Sequence, residues 1–451
     1  MPREHLLKIG VSGVRGVVGE FLTPQLACDF AQAFAGYVGR GRVVVGRDTR
    51  ASGPMLQHAV TCGLLAGGCA VIDVGVLPTP AFQIYVAETG ARGGIALTAS
   101  HNPPEYNALK LFNSEGLFFN QYERGELIDL YHQSDFREVS NAEIASVTRD
   151  YESGPGRHFA RVLRLVDAEA VRRRRFRVGL DGVNGAGSAM SVDYLTRIMG
   201  CDLRAISVDP TQPFPREAEP KPDTLGDLAE LVRRERCEIG FGQDPDGDRL
   251  AVCDEHGHVL DNDDVLALVV DAVLERVPGD VVVNLTTSSV LDEIAARHRR
   301  RVWRAPVGEA NVVERMQAVK AAIGGEGSNG GIILPAVHYC RDSYTGMGFV
   351  LERMAATGKT VSQLVAEMPR FHRRMGKVAF EHGRLGQLMQ SLEESFPGVE
   401  TDRTDGLKLL WEDSWIHVRA SNTEPLLRLA AEARTAERLE ELYGRVAAAL
   451  R

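Results

Sequence analysis

Short apolar runs and helical stretches follow one another in a repeating order, and that order constrains the fold more than any other feature. Arg42-Val-Val-Val-Gly46 is followed by helical spacing from Met55 to Leu65, then by Ala70-Val-Ile-Asp-Val-Gly75, which closes at Leu77-Pro-Thr-Pro80. Strands separated by helices do not pair as simple hairpins, so the order predicts a layered α/β domain over 1–150. The polar stretch from Ser146 to Arg157, broken at Ser153-Gly-Pro-Gly156, reads as a first linker. A second unit, 151–255, holds the strand Phe176-Arg-Val-Gly-Leu-Asp181 and ends in a strand-loop-strand from Glu238 to Cys253. A third, 256–368, runs from a helix after Asp261-Asn-Asp-Asp264, through the strand Asp280-Val-Val-Val-Asn284, to a helix around Tyr344 to Ala356. From 369 to 451 the pattern becomes strand, helix, two paired strands (Gly406 to Trp411, Trp415 to Arg419) and a final helix, which is a small α+β lobe.

At 451 residues the chain exceeds one ordinary domain, and 44% hydrophobic with 25% charged residues is enough for several cores. The net charge of -9 argues against nucleic acid or a membrane surface as partner, and Arg172-Arg-Arg-Arg175 fits a solvated helix end. No apolar run reaches the roughly 18 residues that span a bilayer. Met1-Pro-Arg-Glu-His5 lacks a signal-peptide pattern, so the cytoplasm is the expected compartment. Seven scattered cysteines without a Cys-x-x-Cys pair indicate neither a disulfide framework nor a zinc site.

Chemistry concentrates in a few loops. Leu97-Thr-Ala-Ser-His-Asn-Pro-Pro follows a short buried strand, Gly93 to Thr98, and its two prolines stiffen the turn that carries Ser100 and His101, with Lys110 downstream. Ser100 is the candidate nucleophile, which needs a base and a charge sink; Ser, Asn and Pro also populate plain turns. Asp244-Pro-Asp-Gly-Asp-Arg249 sets Asp244, Asp246 and Asp248 at every second position, a spacing that suits one hard cation such as Mg²⁺. An EF-hand is excluded because its sixth position, which must be glycine, is Arg249. Three carboxylates leave the metal short of ligands, and a phosphate on Ser100 would supply one more.

Arg419-Ala-Ser-Asn-Thr-Glu-Pro-Leu-Leu-Arg428 gathers two guanidinium groups, the hydroxyls of Ser421 and Thr423, and the Asn422 amide, a mixture that suits a phosphate monoester. It also fits a helix cap with Pro425 in the first turn. Gly325-Glu-Gly-Ser-Asn-Gly-Gly331 offers Glu326, Ser328 and Asn329 among glycines, either as hydrogen-bonding partners for ligand hydroxyls or as a plain flexible loop. Asp181-Gly-Val-Asn-Gly-Ala-Gly-Ser188 is a weaker phosphate candidate, since tight turns use glycine for steric reasons too. Gly13-Val-Arg-Gly16, with Arg15, and Gly46-Arg-Asp-Thr-Arg50 add arginines that suit phosphate charge.

Together, in this order, the four loops at Ser100, Asp244, Glu326 and Arg419 resemble those of the α-D-phosphohexomutase superfamily over essentially the whole chain. The resemblance implies four domains around a central active-site cleft: three similar α/β domains with mixed sheets and a mobile C-terminal α+β domain. It implies a phosphorylated Ser100 that holds Mg²⁺ with Asp244, Asp246 and Asp248. Proton transfer would fall to Lys110 and His101, with Arg15 and Arg249 near the phosphate. Glu326, Ser328 and Asn329 would read sugar hydroxyls, and Arg419, Ser421, Asn422, Thr423 and Arg428 would grip the substrate phosphate. The third loop departs from the Gly-Glu-x-Ser-Gly-His form and, with Val307-Gly-Glu309, is most similar to phosphoglucosamine mutases of the archaeal and Bacteroides type.

The implied reaction interconverts hexose 6-phosphate and hexose 1-phosphate, foremost of glucosamine, with glucosamine or glucose 1,6-bisphosphate as activator and a monomer or homodimer as the working unit. Phosphoglucomutase or phosphomannomutase activity, a Mg²⁺-dependent sugar phosphatase and a noncatalytic sugar-phosphate sensor are the alternatives. The separate phosphate loop argues against simple hydrolysis, and intact Ser100, Lys110 and aspartates argue against a sensor.

Overall fold

The computed structural model describes residues 8–10, 13–134, 136, 138–380, 384–420 and 426–450. Four sheets follow one another along the chain. In the first, Arg42–Arg47 lies between Gly93–Leu97 and Ala70–Val76, parallel to both, and Tyr106–Asn113 and Gly13–Val17 extend the Gly93–Leu97 side in antiparallel fashion. The helices Pro24–Val38, Gly53–Ala66 and Thr79–Thr89 cover it.

In the second sheet Arg177–Asp181 is parallel to both Asp202–Ile206 and Ile239–Gln243, and Leu250–Cys253 folds back antiparallel. The third repeats this plan: Val281–Asn284 is parallel to Val302–Ala305 and Ile323–Glu326, and Gly331–Ile333 is the antiparallel edge. Each of these sheets is mixed, and each supplies one of the chemical loops at a strand end, where open α/β sheets hold ligands. The fourth is wholly antiparallel, in the order His372–Ala379, Leu426–Ala433, Ser414–Ala420, Leu407–Leu410, Glu400–Asp402, with the helices Leu385–Glu394 and Ala436–Ala449 packed on it.

One apolar cluster runs through the first three domains, from Val44 and Phe82 to Phe241 and Val283. The fourth domain has its own core, including Leu409, Val418, Leu429 and Leu442. Polar groups join it to the third: Lys408 Nζ donates to Leu285 O (2.7 Å), Ser289 N to Glu432 Oε1 (2.8 Å) and Trp415 Nε1 to Ser289 Oγ (3.1 Å). Relative motion is the default across such an interface.

Two local expectations fail. Within the stretch that reads as a linker, Val147–Arg149 is a strand parallel to Ala70–Val76, and Ser153-Gly-Pro-Gly156 opens the helix Ser153–Val162, because proline is accepted in a first helical turn. After Pro425 comes the strand Leu426–Ala433 rather than a helix, since it pairs with a neighbour on both sides.

Candidate active site

The strand Gly93–Leu97 is buried throughout, and the chain turns out of the sheet at Thr98. Ser100 has φ +48°, a left-handed conformation that costs a non-glycine residue roughly 1–3 kcal/mol. Arg50 holds it there. Its buried guanidinium pairs with Asp48 (3.0 Å) and donates to the carbonyls of Ser100 (2.7 Å), Asn102 (2.7 Å), Pro103 (2.6 Å) and Tyr106 (3.1 Å). Thr98 Oγ1 donates to Asp48 Oδ2 (2.7 Å) and accepts from Ser100 N (3.0 Å). Arg50 therefore does not serve phosphate as its turn suggested, because its N–H groups are committed to fixing the serine loop.

Ser100 Oγ donates to Asp244 Oδ2 at 2.7 Å across the boundary between the first and second domains. Asp244, Asp246 and Asp248 are all buried, each with a carboxylate oxygen within 4.8 Å of the others'. The glycine-rich turn from Asp181 to Ser188 seats this acidic loop: Ala186 N donates to Pro245 O (2.7 Å), and a Cβ on Gly185 would lie 2.6 Å from that same oxygen. Its glycines thus serve close packing.

Burial, followed by the charges of Asp248 and Asp246, pushes the Asp244 carboxyl well above its ordinary range. Burial also opposes ionisation of Asp246, but the charge of Lys110 and hydrogen bonds from Lys110 and Thr79 hold it below. Asp246 Oδ1 and Asp248 Oδ1 are buried without a hydrogen-bond partner. Two orphaned carboxylate oxygens beside a third carboxylate and a hydroxyl are an all-oxygen donor set, which fits a hard divalent cation.

Around this set stand four cations. Lys110 Nζ, from the strand Tyr106–Asn113, lies 2.5 Å from Asp246 Oδ2 and 3.6 Å from Asp248 Oδ2. Burial lowers the lysine pKa, yet these two carboxylates outweigh it and keep the amine charged. Arg15 Nη1 donates to Asn102 Oδ1 (2.6 Å), bracing the serine loop from the neighbouring strand. Arg249 Nη1 holds Glu219 Oε1 (2.7 Å), and its Nε is buried without a hydrogen bond. The fourth is Arg341, whose Nη2 reaches Asp248 Oδ2. His101 Nδ1 lies 3.5 Å from Ser100 Oγ. The charge of Arg249, then burial, then Arg15 and Arg341 depress the His101 pKa far below the usual value, so the imidazole is neutral.

Glu326 ends the strand Ile323–Glu326, where its Oε1 accepts from Asn284 Nδ2 (3.0 Å) and Gly308 N (2.8 Å). It lines a cleft of about 180 Å³ together with Ser100, His101, Lys110, Arg15, Arg249 and Asn329. Ser328 is instead paired with Thr286, hydroxyl to hydroxyl at 3.4 Å. In the fourth domain Arg419 stands opposite Arg428 in the ladder, and Lys377 stands opposite Arg428 on its other side. Arg419 is within electrostatic reach of Asp405 and Glu326. Ser421, Asn422 and Thr423 lie outside the described residues.

Of the residues of the cleft, Arg341 escapes the reading of the sequence, and Glu309 enters it only within Val307-Gly-Glu309, without a role in the site. Arg341 belongs to an Arg-Asp-Ser turn between a strand and a helix, the same kind of position that holds the other chemical groups, and that is its signal. A larger cavity, about 360 Å³, lies between the third and fourth domains, but its arginines Arg304 and Arg434 are paired with Asp292 and Glu293.

Four phosphoglucomutase/phosphomannomutase families match in succession: α/β/α domain I over 6–138, domain II over 157–257, domain III over 261–371 and the C-terminal domain over 383–449. The chain belongs to this family. It is accordingly an enzyme of the α-D-phosphohexomutase superfamily. A phosphoglucomutase/phosphomannomutase of Thermococcus kodakarensis is 38% identical over 96% of both chains. A probable phosphoglucosamine mutase of Methanopyrus kandleri is 37% identical over 96% of this chain and 95% of its own. The crystal structure of a phosphoglucomutase/phosphomannomutase family protein from Burkholderia thailandensis superposes with a TM-score of 0.85, at 25% identity, over 98% of this chain and 96% of that one. Among the described residues no helix is long and apolar enough to cross a membrane.

Proposed function

We propose that this phosphohexomutase interconverts glucosamine 6-phosphate and glucosamine 1-phosphate in the cytoplasm, through phospho-Ser100 and a 1,6-bisphosphate. The observation that carries the proposal is the Ser100 hydroxyl on Asp244 at 2.7 Å, with a separate row of cations on the fourth domain. One place transfers phosphate, and the other holds the phosphate that is not reacting. Mg²⁺ on Asp244, Asp246, Asp248 and the serine phosphate would offset charge on the transferring group.

In the forward half-reaction the bond from phosphorus to Ser100 Oγ breaks and a bond to the sugar hydroxyl forms. Charged Lys110 gives a proton to the departing Ser100 oxygen, and the hydroxyl proton passes to neutral His101, whose basicity the negative charge of the phosphoryl group beside it restores. The bisphosphate then turns end for end and returns its other phosphoryl group to Ser100. Arg15 and Arg249 lower the cost of the added negative charge. Glu326, Asn329 and Ser328 read the sugar, and Arg419, Ser421, Asn422, Thr423 and Arg428 grip the distal phosphate. Closure of the fourth domain excludes water and protects the phosphoserine. Glucosamine or glucose 1,6-bisphosphate serves as activator, and a monomer or homodimer is the working unit.

The names of the relatives from Methanopyrus kandleri and Pyrococcus furiosus favour glucosamine, whereas that of the 38% identical Thermococcus kodakarensis relative favours glucose or mannose. Purified protein given Mg²⁺, a trace of the matching 1,6-bisphosphate and each 6-phosphate in turn, followed by ³¹P NMR, tests both. Fastest 1-phosphate formation from glucosamine 6-phosphate supports the proposal. Free phosphate alone would point to a phosphatase, and full activity in Ser100→Ala would remove the phosphoserine mechanism.

A further inference from the structure

We infer that Arg341, held in place by Glu309, is a positioning residue that orients Asp248 toward the metal and ties that carboxylate to the sugar-binding loop. The inference rests on the proposed function only in taking Asp248 as a metal ligand. Arg341 lies between the strand Gly331–Ile333 and the helix Ser343–Thr357, and is 8% exposed. Glu309, the first residue of the helix Glu309–Val319, grips it twice: Oε1 accepts from the Arg341 backbone N (3.1 Å) and Oε2 from Nε (2.8 Å). Arg341 Nη2 donates to Asp248 Oδ2 at 2.7 Å, and Nη1 stands 3.7 Å from Glu326 Oε2. The fold makes room for this side chain. A Cβ at position 331 would come within 2.4 Å of Arg341 Cδ, so Gly331 is what lets the stem pass.

Asp248 therefore has one oxygen fixed by hydrogen bonding and one without a hydrogen bond. Oδ2 is held by the guanidinium, while Oδ1 is buried without a hydrogen bond, with the cation Arg249 at 3.9 Å through its Nε. With Oδ2 fixed, the carboxylate cannot rotate, and Oδ1 points in one direction. Without Arg341, Oδ2 is left to Lys110 Nζ, already 3.6 Å away, and a turn toward it would carry Oδ1 off its line. The same planar guanidinium also stands by Glu326, so a displacement of Glu326 reaches Asp248 through one rigid group. Groups that orient metal ligands in this way typically alter metal affinity or activity by about 10–100-fold when removed.

The test compares wild type with Arg341→Met, Arg341→Lys, Glu309→Gln and Gly331→Ala. Mn²⁺ stands in for Mg²⁺, and its binding is titrated by electron paramagnetic resonance, a readout independent of turnover. Arg341→Met should weaken Mn²⁺ binding about tenfold and lower kcat by a similar factor, while KM for the sugar phosphate stays within about threefold. Arg341→Lys should recover only part of the loss, because an ammonium cannot bridge Glu309 and Asp248 as a fork does. Gly331→Ala keeps the arginine but displaces its stem, and should reproduce the same signature. Glu309→Gln should shift both readings in the same direction by less, and it decides between the outcomes should Arg341→Met fail to fold. Mn²⁺ affinity within twofold of wild type would overturn the role, as would a rise in KM alone, which would make Arg341 a substrate ligand. Wild type that binds Mn²⁺ but converts no sugar phosphate would overturn the proposed function and leave the comparison of metal affinities to decide on Arg341. Wild type without Mn²⁺ binding would remove both the metal site and this role.

Discussion

Arg419 and Arg428 stand directly opposite each other in the antiparallel ladder of the fourth domain, and Lys377 continues the row. Like charges in opposed positions destabilise a sheet. Burial and the charge of Arg428 both act to lower the Arg419 pKa, although guanidinium remains charged at neutral pH. An anion bound by Arg419 and Arg428 stabilises the folded chain that binds it, so millimolar inorganic phosphate should raise the melting temperature. Arg428→Met should blunt that rise and increase KM for the sugar phosphate by roughly tenfold or more, the worth of one charge-assisted contact. A phosphate-induced shift of unchanged size in the variant would dissociate the row from phosphate.

Arg50 touches no ligand position, yet its replacement should be among the most damaging in the chain. Lysine at 50 keeps the charge beside Asp48 but cannot reach the four carbonyls of residues 100, 102, 103 and 106 at once. Of these only the Ser100 carbonyl is fully buried, and Pro103 O keeps a second donor in Tyr106 N; a buried carbonyl left without a donor costs about 1–3 kcal/mol. Arg50→Lys should therefore lose about 1–3 kcal/mol in urea unfolding and also release Ser100 from its left-handed conformation. A variant with wild-type stability and kcat would show that the prolines alone hold the loop.

The serine loop, the three aspartates, Glu326 and the alternation of the first three domains are legible in the sequence because each is local: neighbouring residues in one turn carry the chemistry. Arg341 and Glu309 are not, since their meaning arises only when residues 32 positions apart meet over Asp248. The role of Arg50 is hidden for a related reason. Its sequence context shows a charge in a glycine-bounded turn but not the carbonyls of a loop about fifty residues on. The strand after Pro425 depends on register with both neighbouring strands, which no local propensity encodes.

Lys110 and Arg341 already pair with Asp246 and Asp248, so the unrelieved cost falls on Asp244, whose carboxyl is pushed up by burial and by its two acidic neighbours until a cation joins them. Asp244→Asn keeps the shape and removes one charge, so metal-free Asp244→Asn should be more stable than metal-free wild type, by roughly 1–3 kcal/mol. The ranking should reverse on adding Mg²⁺, which stabilises only the protein that binds it. Thermal melts with a chelator and with Mg²⁺ test both halves. If chelation leaves wild-type stability and activity untouched, the triad is not a metal site.

Asp264 offers a separate pH test away from the metal. Burial, and then the charge of Asp261, push its carboxyl up from 3.8 to about 6, against His258 and Arg370. A raised acid pKa favours the protonated form in the folded state. Its stabilising contribution is therefore complete below about pH 4, is lost as the pH rises to about 6, and stays lost above. A shift of that size corresponds to no more than about 3 kcal/mol. The residue also sits in the first turn of the helix Asn262–Leu274, where a negative charge returns roughly 0.3–1 kcal/mol. Asp264→Asn removes both effects, and the larger should decide the sign: the variant should be more stable than wild type by roughly 1–2 kcal/mol at about pH 7.5. That advantage should vanish by about pH 4, with the change concentrated between about pH 4 and 6. Chemical denaturation at half-unit pH steps measures it, and a difference that does not vary with pH would mean that Asp264 is ionised in the fold at no cost.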